Sequence, residues 1–264
     1  MRGTTYKIFK YTLSDLLRSR WILGYALLFA AVAGGILYLG DQPTQAVVSV
    51  LNLVILVVPL VSLVLGLMYH YANRDFALLV LTQPVHRASV FRGQFFGLSL
   101  ALVLAYLVGA GVPFALYAIA NPVDWAQVGL VLLAGTLVSL VFTALALYIG
   151  VAQDERVRAL GLAIGIWFAL TMIYDSLLLL FIVLAEAYPI DPWVIGLSMV
   201  NPVDLARVMV LLKLDTAALM GYTGAVFNKF LGSNLGLLLT FLALVVWVAV
   251  PAWRAQRVFA RRDF

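Results

Sequence analysis

Long apolar runs, separated by shorter segments that carry most of the charge, set the pattern of this chain. A run of roughly 20 apolar residues is long enough to cross about 30 Å of hydrocarbon as a helix. A segment in that environment must pair its own backbone N–H and C=O groups, and a helix does so. Six such runs predict an all-α integral membrane protein with a single transmembrane domain over 1–264; they lie near residues 21–39, 46–70, 93–119, 127–152, 159–184 and 234–252.

The segment before the first run, residues 5–19, is amphipathic. Its apolar residues recur at helical spacing, and the charged side chains of Lys7, Lys10 and Arg18 occupy the other side. This pattern predicts a helix that lies in the inner membrane interface, with its apolar side toward the lipid. An ordinary cytosolic leader is the alternative interpretation.

The distribution of charge indicates which side of the membrane each segment faces. The chain is 64% hydrophobic and only 11% charged, with a mean hydropathy of +1.06. Fourteen of its 17 basic residues lie before the first run, between the second and third, between the fourth and fifth, or after the sixth. Basic residues favour the cytoplasmic side, so both termini are predicted to be cytoplasmic. The same bias explains the net charge of +5 without nucleic acid, for which the sequence has no binding motif.

The cytoplasmic segment over residues 73–92 is too apolar for an ordinary polar loop. It contains an apolar stretch from Phe76 to Leu81, and Pro84 ends the short helix that this stretch predicts. A short apolar helix on this side needs a surface to bury against, either the lipid interface or a groove in a partner protein. The charged stretch over 154–158 is interpreted as a solvated turn, with a second, smaller partner contact as the alternative.

The largest outer segment, residues 185–233, is also too apolar for a solvated loop. Two short helices are predicted there, over 199–212 and 216–230, and they either re-enter the membrane or cap its surface. The tetrapeptide Asn-Pro-Val-Asp occurs at 121–124 and again at 201–204. Both copies are interpreted as helix starts, with Asn as the N-cap and Pro at the first helical position.

Asp175 is the one acidic residue inside a predicted span. An ionisable side chain there is costly unless it is paired or reaches water, so Asp175 is a candidate functional residue. Its predicted partner is Arg207, Lys213 or Lys229 of the outer segment, and the sequence does not choose among them. We hypothesise a conformational latch between the fifth span and the outer helices. The alternative is that the span ends earlier and leaves Asp175 in the headgroup region.

Soft metal ligands are few in this sequence. It contains no cysteine, which excludes disulfides and thiolate metal sites. Met199, Met209 and Met220 lie in the outer segment, and thioether sulfur atoms can bind Cu(I). Methionine is also an ordinary filler of apolar cores, so these residues are weak candidates for a metal site.

Several classes of membrane protein are disfavoured by the polar residues of the spans. Intramembrane proteases need serine and histidine, or paired histidines, inside spans, and haem-binding anchors need histidines on facing helices. His70 and His86 both fall near the cytoplasmic side and form no such pair. A channel needs a recurring polar face along its spans, and only Asn52 and Asp175 support one.

The cytoplasmic loop resembles a motif of ABC-2-type permeases. It reads Arg-Asp-Phe at 74–76 and Leu-Thr-Gln-Pro-Val-His-Arg at 81–87, directly after the second span. In that family the loop ends in a Leu-Leu-x-x-Pro-Val-x-Arg-like pattern and docks into the ATP-binding subunit. The resemblance implies a six-helix permease of the type V exporter kind. It also implies a set of ATPase-coupling residues, namely Arg74, Asp75, Phe76, Leu79, Gln83, Pro84 and Arg87.

The ATPase itself is expected in a different polypeptide. The chain has no Gly-rich phosphate loop of the GxxxxGK[ST] kind, so ATP and magnesium are expected in a partner subunit. The chain is accordingly predicted to be a non-catalytic permease that binds no cofactor of its own.

A narrower resemblance covers residues 201–225, which are similar to the permeases of NosDFY-type transporters. Those transporters serve maturation of the tetranuclear copper–sulfide site of nitrous oxide reductase. The resemblance implies a homodimer in the bacterial inner membrane with two NosF-like ATPase copies, a periplasmic NosD-like protein and, for copper, a chaperone. The implied cargo is a sulfur or copper species, and a generic ABC-2 exporter of a lipid, drug or polysaccharide is the alternative.

Overall fold

The protein is built from helices within the residues that its computed structural model describes, which are 2–40, 43–185, 191–212 and 221–261. Six candidate spans are long and apolar enough to cross a membrane, so the predicted all-α membrane fold is confirmed. A π-helical turn (Ala169–Ile173) lies inside the fifth span. The α-helices are α1 (Arg2–Leu17), α2 (Arg20–Leu39), α3 (Pro43–Ala72), α4 (Arg74–Leu81), α5 (Arg87–Ala120), α6 (Trp125–Ala152), α7 (Arg156–Phe168), α8 (Tyr174–Leu184), α9 (Asp191–Ser198), α10 (Pro202–Leu211) and α11 (Gly221–Arg261).

The two Asn-Pro-Val-Asp tetrapeptides begin helices in different ways. At the second one, the backbone N–H of Val203 donates to Asn201 Oδ1 (3.0 Å), so Asn201 is the N-cap of α10 as predicted. At the first one the prediction is wrong, because Asn121 ends α5 and Asp124 is the N-cap of α6. The Asn121 amide donates to the carbonyl of Tyr117 (3.3 Å), one of the acceptors that a helix end leaves unpaired.

Helices α5 and α6 form the centre of the bundle, and most of their middle residues are buried. Helices α1 and α2 pack along α5, whereas α3 and α11 pack mainly against α6. Tyr106 of α5 is fully buried, and its hydroxyl donates to the carbonyl of Val131 on α6 (2.9 Å). Its ring lies where a side chain on Gly135 would be, so the close contact of α5 with α6 requires glycine at that position.

Helix α1 is a packed part of the bundle. Its buried residues Ile8, Thr12 and Leu16 recur at four-residue spacing on one face. The Ile8 and Thr12 side chains rest on Gly93 and Gly97 of α5, where an added Cβ would come within 2.8 and 2.6 Å of them. The amphipathic helix predicted over 5–19 therefore forms, but its apolar face covers α5 and not only lipid.

The outer segment differs from its prediction in one respect. The helix expected over 199–212 is present as α10, and every residue of α10 except Arg207 is buried. The prediction of a separate short helix over 216–230 is wrong, because residues 221–230 form the first turns of α11, which is 41 residues long. No proline separates residues 221–230 from the sixth span, and a single helix satisfies the backbone of both.

Candidate functional sites: a coupling helix and an outer ion-pair cluster

Helix α4 projects between the second and third spans, within the segment predicted to couple to a partner. It begins directly after Asn73, whose side-chain amide donates to the carbonyl of Tyr69 (3.1 Å) and so caps the end of α3. At its end the Thr82 hydroxyl donates to the carbonyl of Leu79 (2.7 Å), and Pro84 prevents a further turn. Ala77 is buried, whereas the Leu79 side chain is 67% exposed. The helix thus rests on the bundle by a small residue and presents a large apolar one outward.

An aromatic contact joins α4 to α1. The ring of Phe76 stacks on that of Tyr11, with centroids 4.8 Å apart and planes inclined by 21°. The next residue of α1, Thr12, accepts a hydrogen bond from the Tyr69 hydroxyl (2.9 Å). Helix α1 is therefore attached to both α3 and α4. Sequence reasoning missed this role, because an aromatic residue in an amphipathic segment does not indicate its partner.

Two arginines predicted to couple to the ATPase contact the ends of neighbouring helices. Arg74 Nη2 lies 3.4 Å from Asp154 Oδ1, in the turn between α6 and α7. Both side chains are exposed, so this ion pair adds little stability by itself. The Arg87 guanidinium donates to the carbonyl of Ala260 near the end of α11 (3.5 Å). The remaining predicted contact residues Asp75, Gln83 and Pro84 are exposed.

On the outer side, the structure pairs Asp175 with Arg207. Arg207 Nη1 lies 2.7 Å from Asp175 Oδ2, and the side chains are 31% and 26% exposed. The bond joins α8, in the outer half of the fifth span, to α10 of the outer segment. Of the other two cations predicted as partners, Lys213 lies outside the described residues, and so does the side chain of Lys229.

A second carboxylate, Asp204, completes this outer cluster. Its Oδ1 atom lies 3.9 Å from Arg207 Nη1, one helical turn away, and its side chain is 4% exposed. Burial raises the pKa of the Asp204 carboxyl, and the nearby Arg207 offsets this only in part. Its other oxygen, Oδ2, has no hydrogen-bond partner among the described residues. No feature of the sequence indicated this role, since an Asp in a first helical turn usually stabilises the helix start.

A π-helical turn over Ala169–Ile173 lies directly before α8 and the ion pair. Such a turn leaves a backbone carbonyl without its α-helical donor, and these turns are frequent at functional sites. Here the side-chain amide of Asn201 donates to the carbonyl of Leu170 (2.8 Å). Asn201 thus caps α10 and also ties it to the irregular turn. No feature of the sequence predicted this turn.

The methionines considered as metal ligands lie in apolar packing. Met209 is fully buried in α10, and Met199 is partly buried against the main core. Met220 lies outside the described residues. Across the described part of the chain, no group of three or more His, Cys, Asp or Glu side chains is placed to hold a metal ion.

Comparison with known proteins identifies the family. The family model described as ABC-2 family transporter protein matches residues 77–264. The chain belongs to the ABC-2 transporter family. The family predicted from the loop over 74–87 is thereby confirmed.

Two relatives carry the same printed description, "Probable ABC transporter permease protein NosY". The protein from Stutzerimonas stutzeri is 30% identical over 280 residues, which cover 97% of this chain and 98% of the relative. The protein from Pseudomonas aeruginosa is 31% identical over 278 residues, again covering 97% and 98%. This ABC-2 chain is therefore a multi-pass permease subunit, and a permease of this kind works with an ATP-binding partner.

Proposed function

We propose that this permease couples ATP hydrolysis in a separate, NosF-like ATPase to movement of its outer helices during maturation of the copper–sulfide site of nitrous oxide reductase. The cargo is a sulfur or copper species, which either crosses the membrane or is handled by a periplasmic NosD-like partner. Similarity to permeases described as NosY over 97% of the chain supports this assignment. Both termini face the cytoplasm in this proposal, since the basic residues concentrate on that side.

The observation that best supports docking of the ATPase on α4 is the exposure of Leu79. A large apolar side chain that is 67% exposed on a water-facing helix gains free energy when a partner covers it. Gln83 and Pro84 continue the same exposed surface beyond the end of α4. The backing of α4 by Phe76 on Tyr11 and by buried Ala77 supports its use as a rigid lever.

A continuous path of contacts supports coupling between the two sides. Asp154 contacts Arg74, the first residue of α4, and lies immediately before the fifth span. That span then runs as one element through the π-helical turn to Asp175. A displacement of α4 is thereby carried to the turn and to the Asp175–Arg207 pair. The irregular turn is the place where α7 and α8 can change their relative tilt.

A homodimer is supported by the exposed surface of the fifth span. Along its length the buried residues are only Ala159, Ala163, Thr171 and Leu178. Gly161 and Gly165 form a Gly-x-x-x-Gly pair, and among the described residues no atom outside the neighbouring helix backbone lies within 4 Å of a Cβ placed on either one. Such pairs allow two membrane helices to approach closely. We assign this surface to the second copy of the chain.

Native mass spectrometry of the complex purified in mild detergent from its own host tests the proposed function. The expected complex contains two copies of this chain and two of an ATP-binding subunit, with a periplasmic protein added in the complete assembly. A host in which the gene lies beside that of a nitrous oxide reductase supports the maturation role over a generic exporter. If the chain is recovered without an ATPase even after co-expression, the proposal is wrong.

A further inference from the structure

A groove of about 840 Å³ opens on the side of the bundle between α1, α5 and α6. Its volume is within the range of pockets that bind small organic molecules. The walls are mostly apolar and aromatic. The charged residue Arg92 and the hydroxyls of Thr5 and Ser89 lie toward one end, and the hydroxyls of Ser99 and Thr136 lie deeper. It is lined by Thr5, Tyr6 and Phe9 of α1, by Ser89, Arg92, Phe96, Ser99, Leu100 and Val103 of α5, and by Thr136 and Leu140 of α6.

The groove runs along the axis of α5. Its lining residues on that helix, from Ser89 to Val103, recur at three- and four-residue spacing and so share one face. At 1.5 Å per residue, this stripe is about 21 Å long. One leaflet contributes about half of a hydrocarbon core that is about 30 Å thick. The groove therefore extends from the headgroup layer to about the middle of the bilayer.

Polarity changes along the groove in the order that a phospholipid requires. The cytoplasmic end holds Ser89 and the exposed Arg92, the only charged residue of the described lining. The deep end is mainly apolar, with Leu100, Val103 and Leu140 beside the hydroxyls of Ser99 and Thr136. The rim is formed by Tyr6, which is 63% exposed, an aromatic side chain of the kind enriched at membrane interfaces.

Arg92 keeps most of its hydrogen-bonding capacity for a ligand. Its Nε–H donates to Gln256 Oε1 (2.9 Å), which holds the side chain in place. Within the described ranges, no carboxylate lies within ion-pair distance of its guanidinium. A guanidinium with free N–H groups, next to an apolar groove, matches a phosphate that is attached to acyl chains.

We propose that this groove binds one anionic phospholipid of the inner leaflet, with its phosphate on Arg92 and an acyl chain along α5. The inference rests on the proposed topology, in which the Arg87 end of α5 faces the cytoplasm. Since α1 forms one wall and also contacts α4 through Tyr11, the bound lipid braces the coupling helix against the bundle.

Native mass spectrometry with added phosphatidylglycerol or phosphatidylcholine tests the proposal. The wild-type protein is expected to retain phosphatidylglycerol in preference to phosphatidylcholine. Arg92→Gln is expected to reduce that preference roughly fivefold, the equivalent of about 1 kcal/mol. The control Arg158→Gln removes an exposed arginine on α7, outside the groove, and is expected to leave the preference unchanged. Equal preference in wild type and Arg92→Gln contradicts the proposal.

Two further measurements test the lipid site without relying on Arg92→Gln. Leu140→Trp fills the deep end and is expected to reduce retention of both lipids. In wild-type protein, a phosphatidylglycerol with a photoreactive acyl chain is expected to label residues 96–103 or 136–140, and labelling confined to other helices overturns the proposal.

A second copy of the chain is the other possible occupant of the groove. Because the sequence has no cysteine, Leu140→Cys introduces a single thiol at this position. Efficient disulfide-linked dimers of this variant would assign the groove to a protein interface instead. Lipid retention is measured on the permease without the ATPase. A negative result would therefore contradict the lipid site and would not contradict the proposed function.

Discussion

Arg207 of α10 donates to Asp175 of the fifth span at 2.7 Å, and this pair is the only described ion pair that joins the outer segment to that span. Both side chains are less than one third exposed, so the pair is screened less than a surface pair. It lies two residues beyond the end of the π-helical turn. A change in the tilt of α8 must therefore either carry α10 with it or break this bond.

Asp175→Asn is expected to weaken the coupling of ATP hydrolysis to the outer helices. Loss of a contact worth about 1–2 kcal/mol corresponds to a factor of about 5–30 in the equilibrium that it controls. The measurement is ATP-coupled activity of the complex in proteoliposomes. The charge-exchanged double variant Asp175→Arg with Arg207→Asp is expected to recover part of the activity. Undiminished activity of Asp175→Asn contradicts the latch.

Asp204 is expected to make the stability of the outer segment depend on pH. Burial raises its pKa above the ordinary value of 3.8, so the folded state keeps a proton that the unfolded state has already lost. The stabilisation is complete below pH 3.8 and is lost as the pH rises through the folded-state pKa. Thermal unfolding in detergent over this interval measures the slope. Asp204→Asn, which resembles the protonated form, is expected to abolish it.

The spans could be predicted from the sequence because each depends on one local property, a long apolar run. The same holds for α4, where an apolar stretch and Pro84 define a helix, and for Asp175, whose cost in a membrane indicates a partner. The sequence left three cations as candidates, since which of them meets Asp175 depends on how α10 packs against α8.

Features that depend on contacts between distant segments could not be predicted. Asp204 resembles an ordinary residue of a first helical turn until the buried environment of α10 is known. The π-helical turn has no residue signature, because Asn201, from a different helix, satisfies the carbonyl of Leu170. Likewise, Gly93 and Gly97 acquire meaning only when α1 is seen to rest on them.

Gly97→Leu is expected to displace α1 from α5. A Cβ at this position would come within 2.6 Å of Thr12, and inserting a larger side chain into such a contact costs about 1–3 kcal/mol. The expected result is a lower unfolding temperature in detergent, together with weaker recovery of the ATPase, because α1 supports α4 through Tyr11. Gly129→Leu is the matched control, since no packed atom of the described residues lies within 4 Å of a Cβ there. Equal unfolding temperatures for the two variants would be incompatible with the packing role of α1.

Leu79→Ser is expected to weaken binding of the ATPase without unfolding the permease. Substitution of an exposed residue changes folding stability by about 0.5 kcal/mol or less. Removal of an apolar anchor from an interface costs more than about 1 kcal/mol, equivalent to roughly fivefold weaker binding. Co-purification with the ATPase measures the effect. Leu39→Ser is the control, because Leu39 is 80% exposed at the opposite end of a span. If the two variants recover the ATPase equally well, α4 is not the docking surface.

Gly161→Leu and Gly165→Leu are expected to separate the dimer while leaving each copy folded. Within the described part of the chain, no packed atom lies within 4 Å of a Cβ at either position, so we expect a single copy to accommodate the leucine side chain. Where two fifth spans approach at these glycines, the same side chain prevents close contact of the backbones. Native mass spectrometry and crosslinking in membranes measure the fraction of dimer. Gly24→Leu tests the same exchange at an equally open glycine on α2, and it is expected to leave the dimer intact. If all three variants remain dimeric to the same extent, the second copy binds elsewhere, and the exposed surface of the fifth span faces lipid.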